Sequence, residues 1–205
     1  MGESETYNFK SQQAANQAAL REAIVRSATR LLIQNGPDGL SARQLAKEVG
    51  ASTKVIYSHF GGMQGVVSAV YTQGFGQLIE ALEAADNIDL SVQDRLAGIA
   101  IAYRQFARIY PDLYDLMFGP YAKWLANQDE ERLPAERCID LVAKIMLSGQ
   151  VTHQIGPGDP RALAHQFWAA MHGPVALEAA SWPDPAPDQT FEQMIGHAIS
   201  DLSKG

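Results

Sequence analysis

Between Gly50 and Gly61 the sequence sets Ser52, Thr53, Lys54, Tyr57, Ser58 and His59 almost side by side. A lysine can neutralise a phosphate or hydrogen-bond guanine, and Ser, Thr and Tyr hydroxyls reach phosphate oxygens. Arg43, ten residues upstream of Thr53, can serve either role. The residues between them are of another kind. Leu45, Val49, Ile56 and Phe60 are spaced to meet in one small core that Leu31 or Leu32 would close. Ala46 is small where two steeply crossing helices would otherwise collide, and Gly50 supplies a turn position of positive φ. Two short helices joined this tightly form a helix-turn-helix, whose second helix enters the DNA major groove. The alternative is an ordinary packed helix pair with a solvated polar face; a protein-only adaptor of that kind would bind no DNA and ignore changes at Lys54 or Tyr57.

A second constellation is an aromatic stripe: Tyr103, Phe106, Tyr110, Tyr114, Phe118, Tyr121 and Trp124, at steps of three or four. Such a stripe can be plain core. Its four tyrosine hydroxyls, however, would need partners in a dry interior. Apolar walls carrying a few polar groups also suit a small hydrophobic or aromatic ligand, and Met117, Met146, His153, Trp168 and His172 could complete such a pocket.

The five histidines raise the question of catalysis or metal binding. His165 and His172 lie two helical turns apart, ~10.5 Å, too far to share one ion. No HExxH, GxSxG or phosphate-cradling glycine loop is present. The expectation is therefore no enzyme, no metal and no cofactor.

These groups need elements to position them, and the periodicity is helical almost throughout, with no alternation of the half-buried strand type. Ile24, Ala28, Leu31 and Leu32 mark a first helix that Asn35-Gly36-Pro37 ends. Ser41-Ala-Arg-Gln44 has the form of a capping box opening a second helix, which runs to about Val49. Ser52 or Thr53 caps a third, which ends near His59. A fourth helix covers about 63–85, with Asp86–Leu90 as a break. Five more are expected near 91–109, 111–126, 134–149, 159–181 and 188–203, Pro111 suiting a first turn. The fold class is all-α: a flexible arm over 1–15, a helix-turn-helix domain over 16–62 and a larger helical domain over 63–205.

Helix 159–181 looks apolar on two faces. One carries Leu163, Phe167, Met171, Pro174 and Leu177; its neighbour carries Ala164, Trp168, His172, Val175 and Ala179. Such a helix must be covered on two sides. With Phe191, Ile195, Ile199 and Leu202 of the last helix, the first face is the candidate dimer surface; a monomeric bundle covering both faces is the alternative.

Bulk composition fits a soluble, cytoplasmic, globular protein. The chain of 205 residues is 46% hydrophobic and 19% charged, which excludes a disordered polymer. Its start, MGESETYNFK, lacks the pattern of a signal peptide, and no apolar run approaches a membrane span. Cys138 is alone, without a disulfide partner. The net charge of −7 argues against DNA until it is divided along the chain: residues 1–80 hold seven Lys/Arg and six Asp/Glu, residues 81–205 nine and seventeen. The basic side chains gather where the helix-turn-helix lies.

Residues 20–70 resemble the amino-terminal domain of TetR-family transcriptional regulators, through the amphipathic first helix, LSARQLAKEVGAS and VIYSHFGG. Ile109–Gly119 (IYPDLYDLMFG) and Trp168–Gly173 (WAAMHG) resemble one carboxy-terminal class of that family, marked by a Trp-then-His-Gly motif. The resemblance implies a bacterial, homodimeric, ligand-responsive regulator, a repressor rather than an activator, released from a palindromic operator. It implies DNA contacts at Arg43, Ser52, Thr53, Lys54, Tyr57, Ser58 and His59, and two carboxy-terminal helices per subunit at the dimer interface. One position departs: where family members often place a phosphate-binding lysine after the Phe, this chain has Met63.

Overall fold

A computed structural model describes residues 2–119, 122, 132–181 and 188–203. The chain divides into two compact units, Met1–Tyr71 and Thr72–Gly205. That division falls inside a helix, beyond the border expected between 62 and 63.

The first unit opens with α1 (Gly2–Asn35), which takes in residues of the expected arm. Its second half is amphipathic: Ile24, Val25, Ala28, Leu31 and Leu32 are buried, while residues 10–19 before them are exposed. A 3₁₀ turn (Pro37–Gly39) leads to α2 (Ala42–Glu48). Ser41 caps α2, its Oγ accepting from the Gln44 amide at 3.2 Å, which is the serine half of the expected capping box. Gly50, at φ 65°, turns the chain into α3 (Thr53–Phe60). Gly61, at φ 71°, ends α3 as a left-handed cap whose amide donates to the Tyr57 carbonyl. Leu45 and Ile56 are fully buried, as the core pattern required, whereas Val49 and Phe60 are half-buried.

The helix α4 (Met63–Ala85) begins in the first unit and ends in the second. Gly65 is obligatory in its first turn, since a Cβ there would stand 1.9 Å from the Phe60 carbonyl oxygen.

The second unit is built around α5 (Val92–Ile109), which packs against α6 (Pro111–Phe118), α7 (Arg132–Val151), α8 (Pro160–Ala179) and α9 (Asp188–Ser203). The core runs through Leu96, Ile99, Tyr103, Ile145, Met146, Phe167, Met171 and Ile195. The break at Asp86–Leu90 lies within this unit, and buried Arg95 fastens it by donating to both Asp86 oxygens at 2.7 and 3.0 Å. A charged cluster ties three helices. Arg104 meets Glu178 at 2.8 Å and Asp188 at 3.2 Å, while Arg108 meets them at 2.6 and 2.8 Å. The Arg104 guanidinium also covers the Phe191 ring at 4.5 Å.

Most of the expected dimer surface faces this core. Phe167, Met171, Phe191, Ile195, Ile199 and Leu202 are buried within the protomer, Leu163 and Pro174 are half-buried, and Leu177 alone of the set is exposed, at 50%. One chain's own helices supply enough apolar partners to cover them. No strand occurs among the described residues, and no described helix is long and apolar enough to cross a membrane.

Candidate functional site

The helix α3 presents a polar surface because Ile56 is its single fully buried side chain. Thr53, Lys54, Tyr57 and Ser58 are exposed, Tyr57 at 55%, and His59 is half-buried. Ser52 is the N-cap residue but its hydroxyl makes no capping bond, so it remains exposed beside the first amides of α3, which have no intrahelical acceptor. A helix start of this kind favours a phosphate. Ser58 is less available than its position suggests: its Oγ donates to the Val55 carbonyl at 3.0 Å, which occupies the proton a phosphate would need. The Tyr57 ring lies beside Gly62, where an added Cβ would sit 3.8 Å from it.

The basic residues of this unit fall into two groups. Arg26 pairs with Glu22, Arg30 pairs with Glu48, and Arg21 donates to the His59 carbonyl. Arg43, Lys47 and Lys54 have no ion pair among the described residues, and all three are exposed. Lys47 is not among the expected contacts, but its spacing of four from Arg43 puts both on one face of α2. The pairing of Glu48 with Arg30 also engages the one acid in α2.

In the second unit, Tyr103 of α5, Tyr114 of α6 and His172 of α8 converge. The Tyr103 hydroxyl lies 2.6 Å from His172 Nδ1 and 3.3 Å from the Tyr114 hydroxyl, which is 3.2 Å from the same nitrogen. Burial drives the His172 pKa below its ordinary value, which favours a neutral ring. Burial likewise pushes both phenols up, so they remain protonated; the bond to Tyr103 only partly offsets this at Tyr114. The consistent arrangement has the Tyr103 hydroxyl donating to Nδ1, with the other ring nitrogen carrying the proton. Around this polar centre, Trp168 is edge-on to Tyr103 at 5.1 Å, Phe118 is 5.0 Å from His172 and 4.9 Å from Tyr114, and Phe75 of α4 is 5.4 Å from Phe118. The Met117 sulfur would stand 2.8 Å from a Cβ on Gly74 of α4.

Of the twelve expected ligand residues, Tyr103, Tyr114, Phe118, Trp168 and His172 thus share one cluster. Met117, Met146 and Phe106 are buried. Tyr110, the cap residue between α5 and α6, is 48% exposed and rests against Phe106. His153 is exposed in a positive-φ turn after α7, where it lines a separate cavity of about 480 Å³ with Gln150, Gly156 and Ser203. Tyr121 and Trp124 lie outside the described residues. Among the described residues no group of three His, Cys, Asp or Glu is placed to hold a metal ion. Cys138 is buried, with its thiol pushed up to about 12 by burial.

Both parts of the chain match known proteins. Residues 24–70 match the family described as bacterial regulatory proteins, tetR family, and residues 96–198 match the tetracyclin repressor-like, C-terminal domain. An uncharacterised HTH-type transcriptional regulator of Mycobacterium tuberculosis is 26% identical over 176 residues, 85% of this chain and 78% of that protein. A Rhodococcus sp. RHA1 protein of unknown function is 31% identical and superposes with a TM-score of 0.72, covering 91% of this chain and 94% of the other. A TetR-family regulator structure from Mesorhizobium loti has the same fold at 18% identity, with a TM-score of 0.65 and coverage of 91% and 96%. The matched families are regulators of transcription rather than enzymes, and the chain belongs to the TetR family of DNA-binding transcriptional regulators.

Proposed function

We propose that the protein is a cytoplasmic homodimeric repressor that leaves a palindromic operator when a small hydrophobic or aromatic ligand enters the α5–α6–α8 cluster. The observation that carries the DNA half is the exposed set of Lys54, Tyr57 and Arg43 on and beside a helix that buries one isoleucine in the core. Support for the ligand half is the Tyr103–Tyr114–His172 centre inside an aromatic shell, since a ligand can exchange hydrogen bonds with these groups. TetR-family regulators typically dimerise, and two copies of α3 read half-sites about one helical turn apart, ~34–36 Å.

Release would follow a population shift: a ligand that binds one arrangement of α5, α6 and α8 better than another favours it. The helix α4 is the natural carrier, because Phe75 and Gly74 touch the aromatic shell and the same helix continues back to Met63.

Selection of genomic fragments by the purified protein tests this directly. The expected product is a palindrome whose affinity falls steeply with salt. Lys54→Ala should weaken every duplex alike if it meets phosphate, or only the selected sequence if it reads a base. No enrichment, or indifference to Lys54, overturns the DNA assignment. Aromatic and aliphatic compounds that raise the melting temperature of the wild type but not of Trp168→Ala, and that release the operator, would support the ligand half.

A further inference from the structure

α3 has a positional problem. It is eight residues long, and one fully buried side chain, Ile56, leaves its tilt and rotation open. Base readout tolerates little misplacement, because hydrogen bonds to base edges are directional. A second anchor must hold the helix, and the first unit provides one at its far end. Arg21 of α1, 38 residues before His59, donates from Nη1 to the His59 carbonyl at 2.7 Å. Its Cζ lies 4.2 Å from the centroid of the Phe60 ring.

Both contacts suit an arginine. The last carbonyls of a helix lack intrahelical donors and carry the negative end of its dipole. The Gly61 amide satisfies Tyr57 at 2.8 Å, and Arg21 satisfies His59. The guanidinium can donate through its edge while its face covers an aromatic ring, so one side chain grips the backbone and the ring together. α1 thus reaches both helices of the motif: Arg30 pairs with Glu48 at the end of α2, and Arg21 holds the end of α3. We propose that Arg21 is a positioning residue for the recognition helix, which aims Lys54 and Tyr57 at the bases without itself touching DNA.

The proposal rests on the DNA reading above, and the selected operator is needed first; a wild type that enriches no operator fails that reading, not this one. With the operator known, full-length wild type, Arg21→Met and Arg21→Lys are titrated against operator and scrambled duplexes over a range of salt. Arg21→Met should lose about tenfold on the operator. Its scrambled-duplex affinity and salt slope should match wild type, because no phosphate contact is removed. Arg21→Lys should recover part of the loss, since an ammonium can reach the carbonyl or the ring but not clamp both. An equal loss on both duplexes with a slope smaller by about 1 would mean a phosphate contact and overturn the proposal. Unchanged operator affinity overturns it too. Should Arg21→Met not fold, Phe60→Leu carries the test: it keeps an apolar side chain in the half-buried site but removes the ring under Arg21, and unaltered discrimination between the duplexes sinks the idea.

Discussion

His172 is the side chain whose charging the fold opposes. Its ring is half-buried, Tyr103 and Tyr114 surround Nδ1, and burial holds its pKa below the ordinary value. An unfolded histidine titrates near ~6.5. The contribution of the neutral ring is therefore complete above that pH and is lost as pH falls toward the lower folded value. Urea midpoints at pH 7.5 and 5.5 measure it: the drop between them should be smaller in His172→Asn, which keeps an acceptor near Nδ1 but does not titrate. Equal drops would show that His172 is not depressed. Residue types made this cluster legible: the aromatic stripe included Tyr103 and Tyr114, and Trp168 and His172 lie one helical turn apart. Hydrogen-bond choices were not legible. The same hydroxyl chemistry that nominated Ser58 for phosphate lets it bond to Val55, and only the fold decides between them. Tyr110 and His153 stand apart from the cluster for a backbone reason: one is a cap residue and the other lies in a positive-φ turn, so neither belongs to a helix face.

At the scale of elements, α8 shows what periodicity can and cannot settle. The two apolar faces in its sequence meet as one in the fold, where Ala164, Phe167, Met171 and Val175 turn inward. The outward stripe is instead Ala162, Gln166, Ala169, Gly173, Leu177 and Ala180, all exposed. Apolar counts could not choose between these faces, since large side chains fill a protomer's own core and small ones let another helix approach. Helix ends were clearer, because Ser41, Gly50 and Pro111 act through local backbone geometry that needs no tertiary partner. If α8 meets a partner subunit, this stripe is the face it leaves exposed for one, and two variants separate the possibilities. Leu177→Glu should convert a dimer to monomers in light scattering with little change in melting temperature, as its side chain is exposed. Phe167→Ala should cost about 3–5 kcal/mol of stability, because it empties a buried site. A dimer that survives Leu177→Glu places the partner on another face.

For the whole molecule, the question is how a chain of net charge −7 binds a polyanion. Most of the acid lies in the second unit, where residues 72–205 hold eighteen Asp/Glu against nine Lys/Arg, so that surface repels DNA. Attraction must come from the first unit, where Arg26 and Arg30 are paired with glutamates and Arg21 is held by the His59 carbonyl and the Phe60 ring. The remaining cations of α2 and α3 are Arg43, Lys47 and Lys54, three per protomer and six in a dimer. If each meets one phosphate, log K against log salt has a slope of about −5, and operator affinity falls roughly a thousandfold between 50 and 200 mM salt. Anisotropy titrations over that range give the slope directly. A value near −10 would require cations beyond α2 and α3, with Lys10 of α1 the first to substitute; a value near −2 would mean that one cation per protomer suffices. The predicted slope is modest for a DNA-binding protein, and that modesty has a use. With a weak sequence-independent term and a repelling second unit, more of the discrimination must come from where α3 is held, which is the property that Arg21 and Phe60 control.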